Sequence, residues 1–273
     1  MESTKRMSAI PKITAYIIAF NEAEKIAAAV NSVLWADEII VADSGSTDGM
    51  VEIAESLGAR VIQIPFKGFG DLRNQAIAAC TNDWIFSLDA DERCTPEARD
   101  EILKVIADPA SVDIYFMPRR NFFMGRWIKH SGWYPNYRQP QLFRRGKMSY
   151  TFEPVHEGYI SHSERPEGHL QQPIWQLPFK NLDEVVHKVN RYSRLGAEKL
   201  ASRGRTGSMG RAFTHGTWAF IKHYVFKLGA LDGWPGFVIA FAYFEQTFYR
   251  YAKGFEMDQN WKMPESGPLK RNP

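Results

Sequence analysis

Over roughly the first ninety residues, short apolar runs alternate with Ala-rich or amphipathic stretches, and that alternation predicts strands and helices in turn. Ile13-Thr14-Ala15-Tyr16-Ile17-Ile18-Ala19-Phe20 is apolar almost throughout, as in a parallel strand covered on both faces. Asn21-Glu22 stops it, and an Ala-rich helix runs on to Trp35. Glu38-Ile39-Ile40-Val41-Ala42-Asp43 is a second strand, followed by turn residues and helix caps in Ser44-Gly45-Ser46-Thr47-Asp48-Gly49. A helix to Leu57 ends at Gly58, and Arg60-Val61-Ile62-Gln63-Ile64 forms a third strand. Gly68 and Gly70 lead into a helix holding Arg73, Asn74 and Gln75. The fourth strand, Trp84-Ile85-Phe86-Ser87-Leu88, stops abruptly in Asp89-Ala90-Asp91-Glu92, and Thr95-Pro96-Glu97 starts the next helix. This β-α-β-α-β-α-β order predicts an α/β protein with a doubly wound, mostly parallel sheet.

Beyond residue 110 the pattern changes. Val112–Met117 and Gln139–Arg145 read as strands around a stretch in which Arg119, Arg120, Arg126, Lys129 and Arg138 alternate with Phe122, Phe123, Trp127, Trp133 and Tyr134. Such rings and charged forks suit a phosphorylated saccharide; equally, the cations merely cover a half-buried aromatic subdomain. Asn181-Leu182-Asp183-Glu184 opens a helix with a capping pattern, and Arg203-Gly204-Arg205-Thr206-Gly207 reads as a basic linker. Phe213, Trp218, Phe220, Ile221, Tyr224, Val225 and Leu228 follow at helical spacing among Lys222, His223 and Lys227, and Phe237–Phe244 is wholly apolar. A bilayer takes about twenty such residues to cross, so these helices either lie in a membrane interface or bury their stripes in a core or dimer. The expected organisation is a tail over 1–11, a catalytic domain over 12–180 and a helical membrane-association or acceptor region over 181–273.

At 273 residues and 44% hydrophobic content, the chain has ample core for a folded protein. Its two cysteines, Cys80 and Cys94, make neither a disulfide framework nor a zinc spacing, as expected of reduced thiols in a cytoplasmic protein. The net charge of +3 hides an asymmetry: residues 1–113 hold 10 basic and 19 acidic side chains, 191–273 hold 13 and 6. The basic parts suit phosphates or an anionic membrane surface; no nucleic-acid module accompanies them, so nucleic acid is not an expected partner.

The chemistry lies at the strand ends. Parallel sheets bind ligands beyond the carboxyl ends of their strands, and two strands here end in carboxylates, Asp43 and the pair Asp89 and Asp91. Carboxylates two apart suit a hard divalent cation that takes substrate phosphates as its other ligands, or else a solvated acidic turn. Dinucleotide, P-loop and nucleophile-elbow patterns are missing, which sets aside hydride transfer, ATP hydrolysis and serine hydrolysis.

Ile17-Ile18-Ala19-Phe20-Asn21-Glu22, Asp43-Ser44-Gly45-Ser46-Thr47-Asp48-Gly49 and Asp89-Ala90-Asp91-Glu92, in that order, resemble the signatures of family 2 inverting glycosyltransferases with a GT-A fold, over about residues 12–160. The resemblance implies that Asn21, Glu22, Asp43, Arg73, Asp89, Ala90 and Asp91 line the site of a UDP-sugar, with Asp43 accepting from uracil. It implies Mg²⁺ or Mn²⁺ on the diphosphate, held by Asp91 with Asp89 and His156. Val155-His156-Glu157 is similar to a signature of lipopolysaccharide core β-1,4-glucosyltransferases, which makes Glu157 the expected base and Glu153 its competitor. Where many relatives carry a His ahead of the helix opening at Asn181, this chain has Gln176. Arg138, Trp133 and Arg144 are the expected acceptor contacts. The implied function is metal-dependent transfer of a sugar, glucose by this resemblance, to a lipid-linked acceptor such as inner-core heptose, by a protein peripheral on the inner face of the cytoplasmic membrane. The alternatives are a family 2 transferase of capsule, exopolysaccharide or protein glycosylation, or a non-catalytic protein binding nucleotide sugars or anionic lipid.

Overall fold

The computed structural model describes residues 11–152 and 158–259. The chain forms two compact units, Met1–Pro178 and Phe179–Pro273.

In the first unit β1 (Ile13–Ala19), β2 (Glu38–Asp43), β3 (Arg60–Gln63) and β4 (Trp84–Asp89) alternate with α1 (Ala23–Asn31), α2 (Met50–Ser56) and α3 (Phe69–Ala79). All seven residues of β1 are buried, because it lies between β2 and β4 and is parallel to both. The alternating side chains sort into two cores. Ile13, Ala15 and Ile17 join α1 and α4 (Pro96–Ala107) on one face, while Tyr16 and Ile18 join α3 on the other. The helix expected to reach Trp35 stops at Asn31, and the Trp35 indole donates to the Ser32 carbonyl at 3.0 Å.

After β4 the chain makes the short β5 (Glu92–Arg93), then α4, β6 (Ile114–Phe116), β7 (Arg119–Phe123) and β8 (Arg126–Trp127). Next come β9 (Pro140–Arg144), the hairpin β10 (Met148–Tyr150) and β11 (Tyr159–Ser161), β12 (Gly168–His169) and β13 (Ile174–Gln176). The large sheet has the order β12-β6-β9-β4-β1-β2-β3, with β9 antiparallel to both of its neighbours. A separate sheet, β5-β13-β7-β8, springs from the end of β4.

The second unit holds α5 (Leu182–Ala201), α6 (Met209–Ile221), a π turn over Lys222–Phe226, a 3₁₀ turn over Gly229–Asp232, and α7 (Trp234–Asp258). The capping pattern at α5 forms as read: the Asn181 side chain accepts from Glu184 N at 3.0 Å, and Glu184 accepts from Lys180 N at 2.7 Å. Val185, Val189, Ser193 and Ala197 make its buried stripe. Glycine lets the α6 side approach α7 closely, since a Cβ at Gly207 would collide with the Tyr251 carbonyl. Among the described residues no helix is long and apolar enough to cross a membrane.

Candidate active site

Because β1, β2 and β4 are parallel, their carboxyl ends share one rim, where Ala19 is in register with Asp43 and Ile18 with Asp89. The two carboxylates therefore flank β1. Asp43 is fully buried, and both its oxygens accept from Ser46 N at 3.1 Å while the Ser46 hydroxyl donates to Oδ1 at 2.6 Å. The loops after β1 and β2 are tied together. Asn21 N donates to Ser46 Oγ at 2.8 Å and Thr47 N to Asn21 Oδ1 at 2.9 Å. Ala23 N donates to Asp48 Oδ2 at 2.8 Å. Asn21 takes a left-handed φ of 53°, which an Asn side chain tolerates and which aims its amide at the neighbouring loop. Glu22 takes the Lys25 ammonium at 3.0 Å and starts α1.

On the other side of β1, Arg73 rises from α3 and is almost wholly buried. Its Nη2 donates to Asp89 Oδ1 at 2.6 Å and its Nη1 to Ser87 Oγ at 3.3 Å, and the guanidinium lies 5.3 Å from the centre of the Tyr150 ring. Ser87 Oγ and Tyr16 Oη are 2.7 Å apart, and burial pushes the Tyr16 phenol well above its ordinary pKa. Asn74, next to Arg73, clasps the backbone of Tyr150 with bonds of 2.9 and 2.8 Å. The hairpin β10–β11 is thereby anchored beside the Arg73–Asp89 pair, and Gly158 N donates to Thr151 Oγ1 at 2.8 Å across its end. Glu153, His156 and Glu157 lie outside the described residues.

Asp91 occupies the corner where the chain leaves the large sheet for the small one. Ala90 N bonds back to Ile18 O at 3.2 Å, while Asp91 O accepts from Leu177 N at 2.9 Å. The Gln176 amide sits 3.4 Å from Asp91 Oδ2. Directly behind, Glu92 accepts from Asp89 N at 3.0 Å and from Arg119 Nε at 2.6 Å, with both members of that ion pair buried. Burial pushes the Glu92 carboxyl up, against the opposing pull of Arg119. Among the described residues no three His, Cys, Asp or Glu side chains gather to cage a metal. The half-exposed Asp91 carboxylate, which accepts from the Gln176 amide N–H, is nonetheless a hard oxygen donor. It fits a cation that draws its remaining ligands from a substrate diphosphate and water.

The expected acceptor residues separate. Trp133 stands on the small sheet: its carbonyl accepts from Asn121, which is in register with Gln176, at 2.9 Å. Arg138 is exposed on the following loop. Arg144 is in register with Trp84, the first residue of β4, about 17 Å along the strand from Asp89. There it stacks on Trp84 at 4.5 Å and pairs with Asp113 at 3.2 Å. Arg120 and Lys129 lie over the Trp127 ring at 4.7 and 4.8 Å, so these cations cover aromatic surface. Ser46, Tyr16, Ser87, Tyr150 and the Glu92–Arg119 pair were not marked by the sequence as site residues. Ser46 and Glu92 nevertheless sit inside the motifs at the strand ends.

Residues 14–161 match the family model for glycosyl transferase family 2. An uncharacterized glycosyltransferase of Rickettsia felis is 31% identical over 260 residues, covering 89% of each chain. The lipopolysaccharide core biosynthesis glycosyltransferase LpsC of Rhizobium meliloti is 30% identical over 212 residues, 72% of this chain and 75% of that one. Among solved structures, glucosyl-3-phosphoglycerate synthase from Mycobacterium tuberculosis, in complex with Mn²⁺, UDP and glucosyl-3-phosphoglycerate, aligns at a TM-score of 0.36 and 26% identity. That alignment spans 40% of this chain and 44% of that chain.

Proposed function

The chain belongs to glycosyl transferase family 2, and from that premise we propose that it moves a sugar, glucose in the first instance, from a UDP-sugar to a lipid-linked saccharide of the lipopolysaccharide core, at the inner face of the cytoplasmic membrane. The observation that carries the donor half is the shared rim of β2 and β4, which holds Asp43, Asp89, Asp91 and the buried Arg73 around the end of β1. The likeness to LpsC supports the acceptor half.

In this reading the Asp43 carboxylate accepts from the imide N–H of uracil, and Ser46 holds it in place. Asp91 would hold Mg²⁺ or Mn²⁺, which would supply positive charge to the departing diphosphate, and Gln176 would orient the Asp91 carboxylate. Asp89 is occupied by Arg73, so it fixes that guanidinium beside the phosphates and is a positioning residue. Inversion in one displacement needs a base on the face opposite the leaving group; Glu157 takes the acceptor proton and His156 neighbours it.

Calorimetry of UDP-glucose, UDP-galactose and UDP-N-acetylglucosamine with Mn²⁺ tests the donor half. UDP-glucose is expected to bind with the metal and not in EDTA, and Asp91→Ala to lose the metal dependence. Metal-independent binding of equal strength by parent and Asp91→Ala refutes the metal assignment. Glu157→Gln is expected to keep donor affinity and lose roughly 10²–10⁴-fold in single-turnover transfer; a comparable loss in Glu153→Gln with Glu157→Gln active moves the base.

A further inference from the structure

The α6–α7 hairpin ends in a cluster of outward apolar side chains. Phe226 is 65% exposed, Leu231 64% and Trp234 75%, and Val225 and Leu228 are exposed beside them. Trp218 lies 5.6 Å from Phe226 and Trp234 5.7 Å from Phe237, which extends the cluster onto both helices. A folded unit ordinarily turns such residues inward or covers them.

This end is held in a fixed shape. Lys227 N bonds Lys222 O at 2.8 Å, Leu228 N bonds Val225 O at 3.0 Å and Leu231 N bonds Leu228 O at 3.0 Å. Gly236 presses against the Gly229 carbonyl so closely that a Cβ has no room. Leu228 takes a left-handed φ of 55°, an unfavourable conformation for a bulky residue, and still leaves about half of its surface exposed. The turn therefore displays Leu228 at a cost to the unit's own stability.

Charge indicates what covers the cluster. From Met209 to Phe244 the cations are Arg211, Lys222 and Lys227, and the sole acid, Asp232, is buried. Lys222 and Lys227 are exposed among the apolar side chains. A second copy docked symmetrically would bring these lysines together with no acid from this stretch to pair them. An anionic lipid surface offers phosphates to the lysines and an apolar layer to the rings, and Trp is enriched at that boundary.

We propose that the hairpin end inserts into the headgroup–acyl boundary of an anionic bilayer, with Val225, Phe226, Leu228, Leu231 and Trp234 in the boundary and Lys222 and Lys227 at the phosphates. This deepens, and rests on, the membrane-surface part of the function proposed above. Insertion is end-on: α6, 13 residues and about 20 Å long, keeps Arg211 and Phe213 away from the lipid.

The test is sedimentation of the full chain with vesicles of phosphatidylglycerol and phosphatidylcholine in equal parts, with melting curves reporting the fold. The parent is expected to bind. The double variant Leu231→Ser/Trp234→Ser is expected to bind about tenfold or more weakly, and Phe213→Ser like the parent. Trp234→Phe keeps the fold's apolar mass and is expected to lose much of the fluorescence quenching that brominated lipids give the parent. Parent binding with an unweakened double variant, or an equal loss in Phe213→Ser, overturns end-on insertion and leaves membrane association standing. A parent that binds no vesicle overturns both. A double variant that turns from dimer to monomer, with vesicle binding unchanged, assigns the surface to a second copy and overturns the proposal.

Discussion

The two units differ in which residues they bury and which they display. The first buries charge: Arg73, Glu92, Arg119 and Asp43 are all inside, each with a named partner. The second exposes apolar surface: Phe213, Trp218, Phe226, Leu231 and Trp234 all face outward. A buried charge is tolerable only where hydrogen bonds or an opposite charge replace water, so the first unit's rim depends on each of these partners. The exposed rings of the second unit touch one another and their neighbours but leave half or more of their surface uncovered. Substitutions should therefore damage stability in the first unit where they touch polar residues, and in the second where they touch small ones.

The largest effect is expected at the pair behind Asp89. Arg119→Met leaves Glu92 buried and unpaired, and unfolding of the first unit should become easier by about 3–5 kcal/mol. Adding Glu92→Leu should recover much of that, because an apolar pair suffers no desolvation. Denaturant titrations of both variants check it; a single variant costing under about 1 kcal/mol would mean that water reaches the site.

In the second unit the corresponding weak point is Gly236. Gly236→Val forces a side chain against the Gly229 carbonyl, at a cost of about 3 kcal/mol. The measurement is the melting of the helical unit, and an unshifted transition would show that the turn is not clamped to α7.

These two sites also mark how far the sequence could be read. The apolar runs ending in Asp43 and Asp89 announce both the parallel sheet and its rim, because a strand covered on both faces has no other way to begin its polar loop. The helices of the second unit are legible from their spacing. Direction and register are not: Gln139–Arg145 reads as a strand, but nothing in it says that β9 runs antiparallel between β4 and β6. Arg144 was therefore expected at the acceptor site, although it lies at the far end of β4. The Glu92–Arg119 pair joins positions 27 apart and has no local signal. An aromatic stripe looks the same whether it is core or surface, so the outward turn of Trp234 was equally hidden.

A smaller effect is expected from acid. Burial pushes the Glu38 carboxyl up, but bonds from Arg60, Thr14 and Thr81 outweigh it and bring its pKa down to about 2. Such a group adds stability above the ordinary carboxylate range, and that stability is lost as pH falls from about 4.5 toward 2. Screening by solvent at this partly exposed group trims the loss to about 2 kcal/mol, and Glu38→Gln should flatten the stability profile over that window. An unchanged profile in Glu38→Gln would assign the acid sensitivity to other carboxylates.

The smallest effect carries the opposite sign. At Leu228 the left-handed backbone costs a Leu about 1–2 kcal/mol, whereas Gly adopts it freely and loses part of the gain through its more flexible unfolded chain. Because Leu228 is 52% exposed, Leu228→Gly sacrifices no more than about half of a side chain's burial. The helical unit should therefore become more stable by about 0.5 kcal/mol, a rise of a degree or more in melting temperature. A residue whose removal stabilises its own unit is retained for contact with something else, and vesicle binding of the same variant should fall while its melting point rises. If Leu228→Gly melted lower, the side chain would belong to the unit's own packing, and the contrast between a unit that buries its charges and one that displays its apolar end would lose its clearest single residue.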